Sequence, residues 1–161
     1  MKQWPKQELT ISYSQLTVYN QETEHPFSDW TDAHIRQGFT WREGAVSFGA
    51  IGDERSIIEV AVRKEAAPEP GAIRAIVVPF ETGEGGVIVS SILSEAYGYD
   101  VPQGSYELWC EIVPAPPEAA GNRTRYLFTF VPCGDPKARI AKRDAELDPG
   151  KTLLMVASPA I

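Results

Sequence analysis

Short runs of alternating apolar and polar residues recur along this chain, and turn residues separate one run from the next. In residues 106–112, for example, the apolar side chains Tyr106, Leu108, Cys110 and Ile112 stand at every second position. A period of two places them on one face of a β-strand, whereas a helix needs a period near 3.6. About eight such runs occur, most bounded by glycine or proline. We therefore predict an all-β fold, most simply an antiparallel β-sandwich of about eight strands with one or two short helices.

Several connections can be predicted from the same pattern. The apolar phase shifts at Ser14 and Gln15, which indicates a bulge or a break between two strands. Residues 46–62 alternate on both sides of a turn at 52–55, as in a β-hairpin. The glycines at 83–86 predict a second hairpin tip, with a return strand over 86–93.

Other runs predict where individual strands lie. Residues 73–78 are apolar on both faces, which is typical of a central strand, and Pro79 is expected to end it. Residues 125–131 and 153–157 are predicted to be the last two strands.

Two segments fit helices better than strands. Thr31 can cap a short helix over 32–37, with Gly38 as its end. Residues 137–147 have only a narrow apolar stripe, so a short charged helix and a solvated linker are both open for them.

Length and composition favour one ordinary domain. The 161 residues, 43% of them apolar, suffice for a core, and we predict a single domain over 1–161, with 119–161 the least constrained part. The start of the chain has no apolar signal region and no run is long enough to span a membrane, so we expect a cytoplasmic protein. Cys110 and Cys133 lie in strand-like runs and are expected to be buried as small hydrophobic side chains rather than to form a disulfide or a metal pair.

The charges are distributed unevenly. Residues 1–120 hold 18 acidic and 8 basic side chains, and residues 121–161 hold 4 and 7. Between Arg74 and Arg123 there is no lysine or arginine, but there are seven carboxylates: Glu81, Glu84, Glu95, Asp100, Glu107, Glu111 and Glu118. A surface of this kind attracts a basic partner and repels nucleic acid. The one basic cluster, within 137–143, is followed by acids with which we expect it to pair.

No enzyme motif is visible. His25 and His34 stand in no metal-binding spacing, no serine lies in a nucleophile elbow, and the 83–86 glycines lack the lysine of a phosphate loop. We therefore predict no catalysis and no cofactor. One alternative is a calcium- or carbohydrate-binding C2-like sandwich, whose acidic tips near 22–24, 53–54 and 81–84 would converge. A carboxylate-pair hydrolase is a second alternative.

Four separated blocks resemble a known family. They are residues 4–19 (WPKQELTISYSQLTVY), 29–32 (DWTD) before the short helix, 44–48 (GAVSF), and 101–115, where VPQGSYEL is followed by Cys110 and VPA. Together they resemble the competence protein J family, the DNA-entry nuclease inhibitors. The resemblance covers about the first 115 residues. It implies a non-enzymatic protein that binds a DNA-degrading nuclease and blocks it.

The acidic stretch 75–122 suits such a role, because carboxylates can replace phosphates in a basic groove. It equally suits solvated loops that only keep the protein soluble. Glu107 and Glu111 fall on the strand face opposite the apolar residues, which predicts that both are exposed to solvent. The candidate partner-binding residues are Glu81, Glu84, Glu107 and Glu111, together with Asp29, Trp30 and Asp32 beside the short helix.

Overall fold

A computed structural model describes residues 1–115 and 123–161, in which twelve strands and one helix form two facing β-sheets. In chain order the elements are β1 (Lys2–Gln3), β2 (Gln7–Thr10), β3 (Gln15–Asn20), α1 (Asp32–Gln37), β4 (Phe39–Arg42), β5 (Ala45–Gly49), β6 (Arg55–Val62), β7 (Arg74–Thr82), β8 (Val87–Ser90), β9 (Ala96–Tyr99), β10 (Gly104–Val113), β11 (Arg125–Pro132) and β12 (Arg139–Lys142). The all-β class is as predicted, although these strands outnumber the expected eight.

The larger sheet has seven strands in the order β1-β6-β11-β10-β7-β12, with β2 paired to β6 as well. The smaller sheet has five, in the order β4-β5-β3-β8-β9. Its pairs are all antiparallel, whereas β6 and β11 in the larger sheet run parallel. The predicted antiparallel sandwich is therefore a mixed one.

The core lies between the two sheets and contains the apolar side chains of the alternating runs. Phe48 of β5 meets Phe128 of β11 across it, with ring centroids 6.0 Å apart. Phe130 of β11 makes edge contacts with Phe80 of β7 and Tyr106 of β10. Each fully buried side chain of this kind stabilises the fold by about 1.5–3 kcal/mol relative to exposure. The shared core supports the single domain predicted for residues 1–161, which remains a prediction.

Both predicted hairpins are wrong. β5 belongs to the smaller sheet and β6 to the larger, so the turn at 52–55 carries the chain across the core. The glycine-rich tip after β7 likewise leads from the larger sheet to β8 in the smaller. An alternating pattern says which face of a strand is buried, and both kinds of connection bury the same faces.

The predicted central strand is longer than expected. β7 continues through Pro79 to Thr82, with β10 on one side and β12 on the other. β12 pairs only with Ala75, Ile76 and Val77. In the described structure β7 therefore has no strand partner on this side at Pro79, where a missing N–H is tolerated and the carbonyl accepts the indole N–H of Trp41 at 2.7 Å.

The C-terminal predictions also need correction. Residues 137–147 form neither a helix nor a solvated linker, because β12 pairs with the edge of β7 and satisfies its backbone groups. Residues 153–157 form no strand; Leu154 exchanges backbone hydrogen bonds with the side chain of Gln37, at 2.8 and 2.9 Å.

Several local predictions are confirmed. Thr31 caps α1, and Gly38 ends it in the left-handed conformation at φ +86°. The break near Ser14 separates β2 from β3, and Tyr13 and Ser14 both have φ of 53°. Cys110 is buried as expected, but Cys133 is only half-buried. No helix in residues 1–115 and 123–161 is long and apolar enough to cross a membrane.

Candidate partner-binding surfaces

One end of the sandwich carries four carboxylates, Glu22, Glu43, Glu81 and Glu84, which we call the acidic tip. Three of them, all but Glu84, line a shallow depression of about 310 Å³. The depression lies where β3 and β7 end and β5 begins. Gly83 lies so close to Glu22 that a Cβ there would displace the Glu22 carboxylate.

Asn20, the last residue of β3, holds the three loops of the acidic tip together. Its side chain donates to the carbonyl of Glu81 at 2.9 Å and accepts from the N–H of Gly83 at 3.1 Å. Its backbone N–H donates to the carbonyl of Gly44 at 2.9 Å. The tip is therefore a supported surface rather than a set of independent loops.

The acidic tip has no internal counter-charge. All four carboxylates are exposed, and none forms an ion pair with a described residue. The guanidinium of Arg42 at the end of β4 is directed instead to the carbonyl of His25, at 2.7 Å. Uncompensated like charges at one end of a molecule produce a negative potential that extends about 8–10 Å into physiological salt.

Glu107 and Glu111 lie on the outer face of β10, as the alternation predicted, but the prediction that both face solvent is wrong. The side chain of Glu107 is 14% exposed and accepts hydrogen bonds from both terminal nitrogens of Arg139, at 2.7 and 3.2 Å. These bonds hold the pKa of Glu107 below its ordinary value. The guanidinium of Arg139 also lies over the ring of Trp109, 5.5 Å from its centroid.

Glu111 is only 3% exposed, because the loop between β6 and β7 covers this part of the larger sheet. Its carboxylate accepts a hydrogen bond from the backbone N–H of Glu69 in that loop, at 2.7 Å. Burial raises the pKa of Glu111 above its ordinary value, against the effect of this hydrogen bond. Coverage by a distant loop is not visible in the period of the strand itself.

Asp29, Trp30 and Asp32 lie near the opposite end of β3 from the acidic tip. The indole N–H of Trp30 donates to the side-chain oxygen of Gln15, the first residue of β3, at 3.3 Å. Asp32 is exposed in the first turn of α1, and the backbone N–H of Asp29 donates to the carbonyl of Ser158 at 2.8 Å. The seven predicted residues thus fall in three separate places.

Beside Trp30 lies a feature that the sequence analysis missed, a cleft of about 560 Å³. Its lining is mostly apolar and comes from six separate segments of the chain. Tyr13 and Ile35 at this cleft are 64% and 59% exposed. The phase shift near Ser14 marked one wall, but nothing local indicated that α1 would face it.

Arg74 lines the cleft and is only 4% exposed. One of its terminal nitrogens donates to both carboxylate oxygens of Asp144, at 3.1 and 2.9 Å, and the other to the carbonyl of Gly49 at 3.3 Å. We predicted that the basic cluster within 137–143 pairs with the acids that follow it. This prediction is wrong for Asp144, which pairs with Arg74, and for Arg139, which pairs with Glu107.

Comparison with known proteins shows the family to which the chain belongs. Residues 8–131 match the family model described as Competence protein J (ComJ). The chain belongs to the competence protein J family. A ComJ relative from Bacillus subtilis (strain 168), described as a DNA-entry nuclease inhibitor, is 36% identical over 115 residues, which is 71% of this chain and 86% of the relative. The resemblance seen in the sequence is thus confirmed.

Solved structures support the same family assignment. The crystal structure of Bacillus subtilis ComJ, titled inhibitor of the DNA degrading activity of NucA, aligns with a TM-score of 0.73 and 32% identity, over 82% of this chain and 98% of that one. A structure titled Crocagin biosynthetic gene J aligns with a TM-score of 0.53 over 82% of this chain and 99% of that one. At 13% identity it shows a shared fold only.

The alternative of a calcium site required three acidic loops to converge. The loops at 22–24 and 81–84 do meet at one end of the sandwich, but the loop at 53–54 follows β5 at the other end. In the part of the chain that the structure describes, no group of three acidic, histidine or cysteine side chains is arranged to hold a metal ion.

Proposed function

We propose that this protein is a non-enzymatic inhibitor that binds a DNA-degrading nuclease of the NucA type and blocks its access to DNA. The observation that carries the proposal is the 36% identity to a DNA-entry nuclease inhibitor over 71% of this chain. The TM-score of 0.73 to ComJ, an inhibitor of NucA, supports it. The cytoplasmic location remains a prediction.

The acidic tip supplies the mechanism that we propose. A nuclease that acts on DNA needs a positive groove for the phosphate backbone, and fixed carboxylates compete for that groove without being cleaved. The loops of the tip are held by Asn20, so docking orders little new structure. Opposite potentials also raise the association rate, towards ~10⁸ M⁻¹s⁻¹ at low salt.

Glu107 and Glu111 suit this role less well than Glu81 and Glu84. To meet a nuclease, Glu107 would have to leave Arg139, and Glu111 would have to emerge from beneath its loop. Exposed carboxylates without a partner carry no such cost. We therefore place the main docking surface at the tip, whereas Asp29, Trp30 and Asp32 lie near the other end of β3, roughly 20 Å away.

The test is a titration of the NucA-type nuclease of the source organism with this protein, read out by cleavage of a fluorescent DNA duplex. We expect cleavage to fall in proportion to added protein and to stop near one equivalent. Heat-denatured protein is the control for non-specific effects. Full cleavage in the presence of a tenfold excess of folded protein would contradict the proposed function.

A further inference from the structure

The cleft beside Trp30 has the form of an interaction site. It is about 560 Å³, within the range of about 300–1,000 Å³ that pockets for compact ligands occupy. Only six large apolar side chains in the described residues are exposed, and two of them, Tyr13 and Ile35, meet here. With Trp30 on the wall, they are the kind of residues that dominate binding energy at protein interfaces.

The turn that presents Tyr13 is held in an unusual conformation. Tyr13 and Ser14 both have φ of 53°, in the left-handed region that residues other than glycine seldom adopt. The N–H of Ser14 donates to Asp53 at 2.8 Å, and its carbonyl accepts from the N–H of Ala50 at 2.8 Å. Tyr13 and Ser14 are thus the two central residues of a tight turn, closed by the bridge between Ser12 and Gln15, and this turn presents the ring of Tyr13 to solvent at the cleft.

The charges around the cleft indicate what occupies it. Glu146 is exposed at the lining, and the exposed carboxylates of Asp32 and Asp53 stand on the segments that form its walls. The one cation in the lining, Arg74, is buried and paired with Asp144 at 2.9 Å and with Glu146 at 3.5 Å, so the carboxylates around the cleft outnumber it. An apolar cleft with an acidic surround complements an apolar side chain that basic residues flank.

We propose that this cleft is a second anchor for the nuclease and receives one aromatic or long aliphatic side chain, flanked by lysine or arginine, from the nuclease surface. This inference rests on the proposed function. The cleft and the acidic tip lie at the two ends of β3, whose six residues span roughly 20 Å. A standard interface covers about 800 Å² per partner, roughly 30 Å across, and so reaches both.

The test uses substitutions that keep the backbone intact. Tyr13→Asn removes the ring, while asparagine accepts the left-handed conformation; Ile35→Ala shortens an exposed side chain and favours the helix. Leu93→Asn is the matched control, because Leu93 is 86% exposed, has φ of 58° and lines no part of the cleft. Thermal melts are expected to match the wild type for all three.

Binding kinetics to the purified nuclease then decide the inference. We expect the double variant Tyr13→Asn/Ile35→Ala to dissociate about 10- to 100-fold faster, with an association rate within twofold of the wild type. Leu93→Asn should behave as the wild type. Equal dissociation rates for the double variant and the control would overturn the anchor while leaving inhibition intact. A wild-type protein that does not bind the nuclease would instead overturn the proposed function.

Discussion

At the scale of single residues, burial decides what a charged side chain can do. Glu111 is a carboxylate beneath a loop, with the N–H of Glu69 as its hydrogen-bond donor. Burial raises its pKa, so the folded state holds its proton more tightly than the unfolded chain does. Folding stability therefore falls as pH rises through the interval between the two pKa values.

Glu111→Gln should remove that pH dependence, since glutamine can still accept the Glu69 hydrogen bond but does not ionise. We expect the free energy of unfolding of the wild type to fall, relative to the variant, as pH rises from the acidic range to neutrality. Urea denaturation of both proteins across this range measures the difference. Parallel pH profiles would show that Glu111 carries no penalty for its charge.

Arg74 is the opposite case, a buried cation whose partner is close. Arg74→Leu leaves Asp144 without the bonds at 2.9 and 3.1 Å, and we expect a loss of about 3 kcal/mol in the free energy of unfolding. The exposed arginine Arg63 provides the control, and Arg63→Ala should change stability by at most about 0.5 kcal/mol. Equal effects of the two substitutions, measured by urea denaturation, would show that the buried pair contributes little.

Glu107 and Glu111 show how much of a charged site can be predicted from the sequence. The alternation correctly placed Glu107 and Glu111 opposite the apolar side chains of β10. It could not show that Arg139 and the β6–β7 loop would cover them, because both come from distant parts of the chain. A period of two reports the face of a strand, and exposure depends on what packs against that face.

At the scale of elements, the sequence correctly predicted the features that depend only on neighbouring residues. Thr31 and Gly38 form the helix ends that their residue types predict. The ring of His34 accepts the N–H of Thr31 at Nδ1, 3.0 Å away, so its proton lies on Nε2 and is donated to the carbonyl of Val156 at 2.9 Å. One imidazole therefore joins the start of α1 to the C-terminal segment.

Thr31→Ala removes the cap of α1, and we expect the protein to lose about 1 kcal/mol of stability. Thr152→Ala is a suitable control, since Thr152 is an exposed threonine outside the helices and strands. The melting temperature of both variants, measured by circular dichroism, gives the answer. A Thr31→Ala protein as stable as the control would mean that the His34 hydrogen bonds alone hold this end of the helix.

Two connections between strands were predicted wrongly from local patterns. The turns at 52–55 and 83–86 carry residues typical of hairpins, yet each joins one sheet to the other. Whether two alternating strands pair with each other or face each other across a core depends on partners elsewhere. β6, for example, pairs with β1, β2 and β11 rather than with β5.

At the scale of the whole molecule, most of the acidic excess is not one continuous surface. Several carboxylates of the 75–122 stretch form ion pairs: Glu95 with Arg55, Asp100 with Lys2 and Glu107 with Arg139. Glu118 lies outside the described residues. The acidic tip combines two members of the stretch, Glu81 and Glu84, with Glu22 and Glu43 from elsewhere in the chain.

In the mechanism that we propose, the acidic tip takes the place of DNA phosphates in the groove of a nuclease. This mechanism is tested most directly by stopped-flow association rates for the wild type and for the variant in which all four tip carboxylates become glutamine. The control neutralises four exposed acids elsewhere: Glu65→Gln, Glu69→Gln, Asp135→Asn and Asp148→Asn. Both variants change the net charge equally; of the four control acids only Asp135 forms an ion pair with a described residue, the exposed Lys137.

We expect the tip variant to associate at least about tenfold more slowly than the control at low salt, and the difference to shrink as salt screens the wild type. If the two variants associate at the same rate at every salt concentration, the position of these carboxylates does not matter, and the tip is not the surface that meets the nuclease.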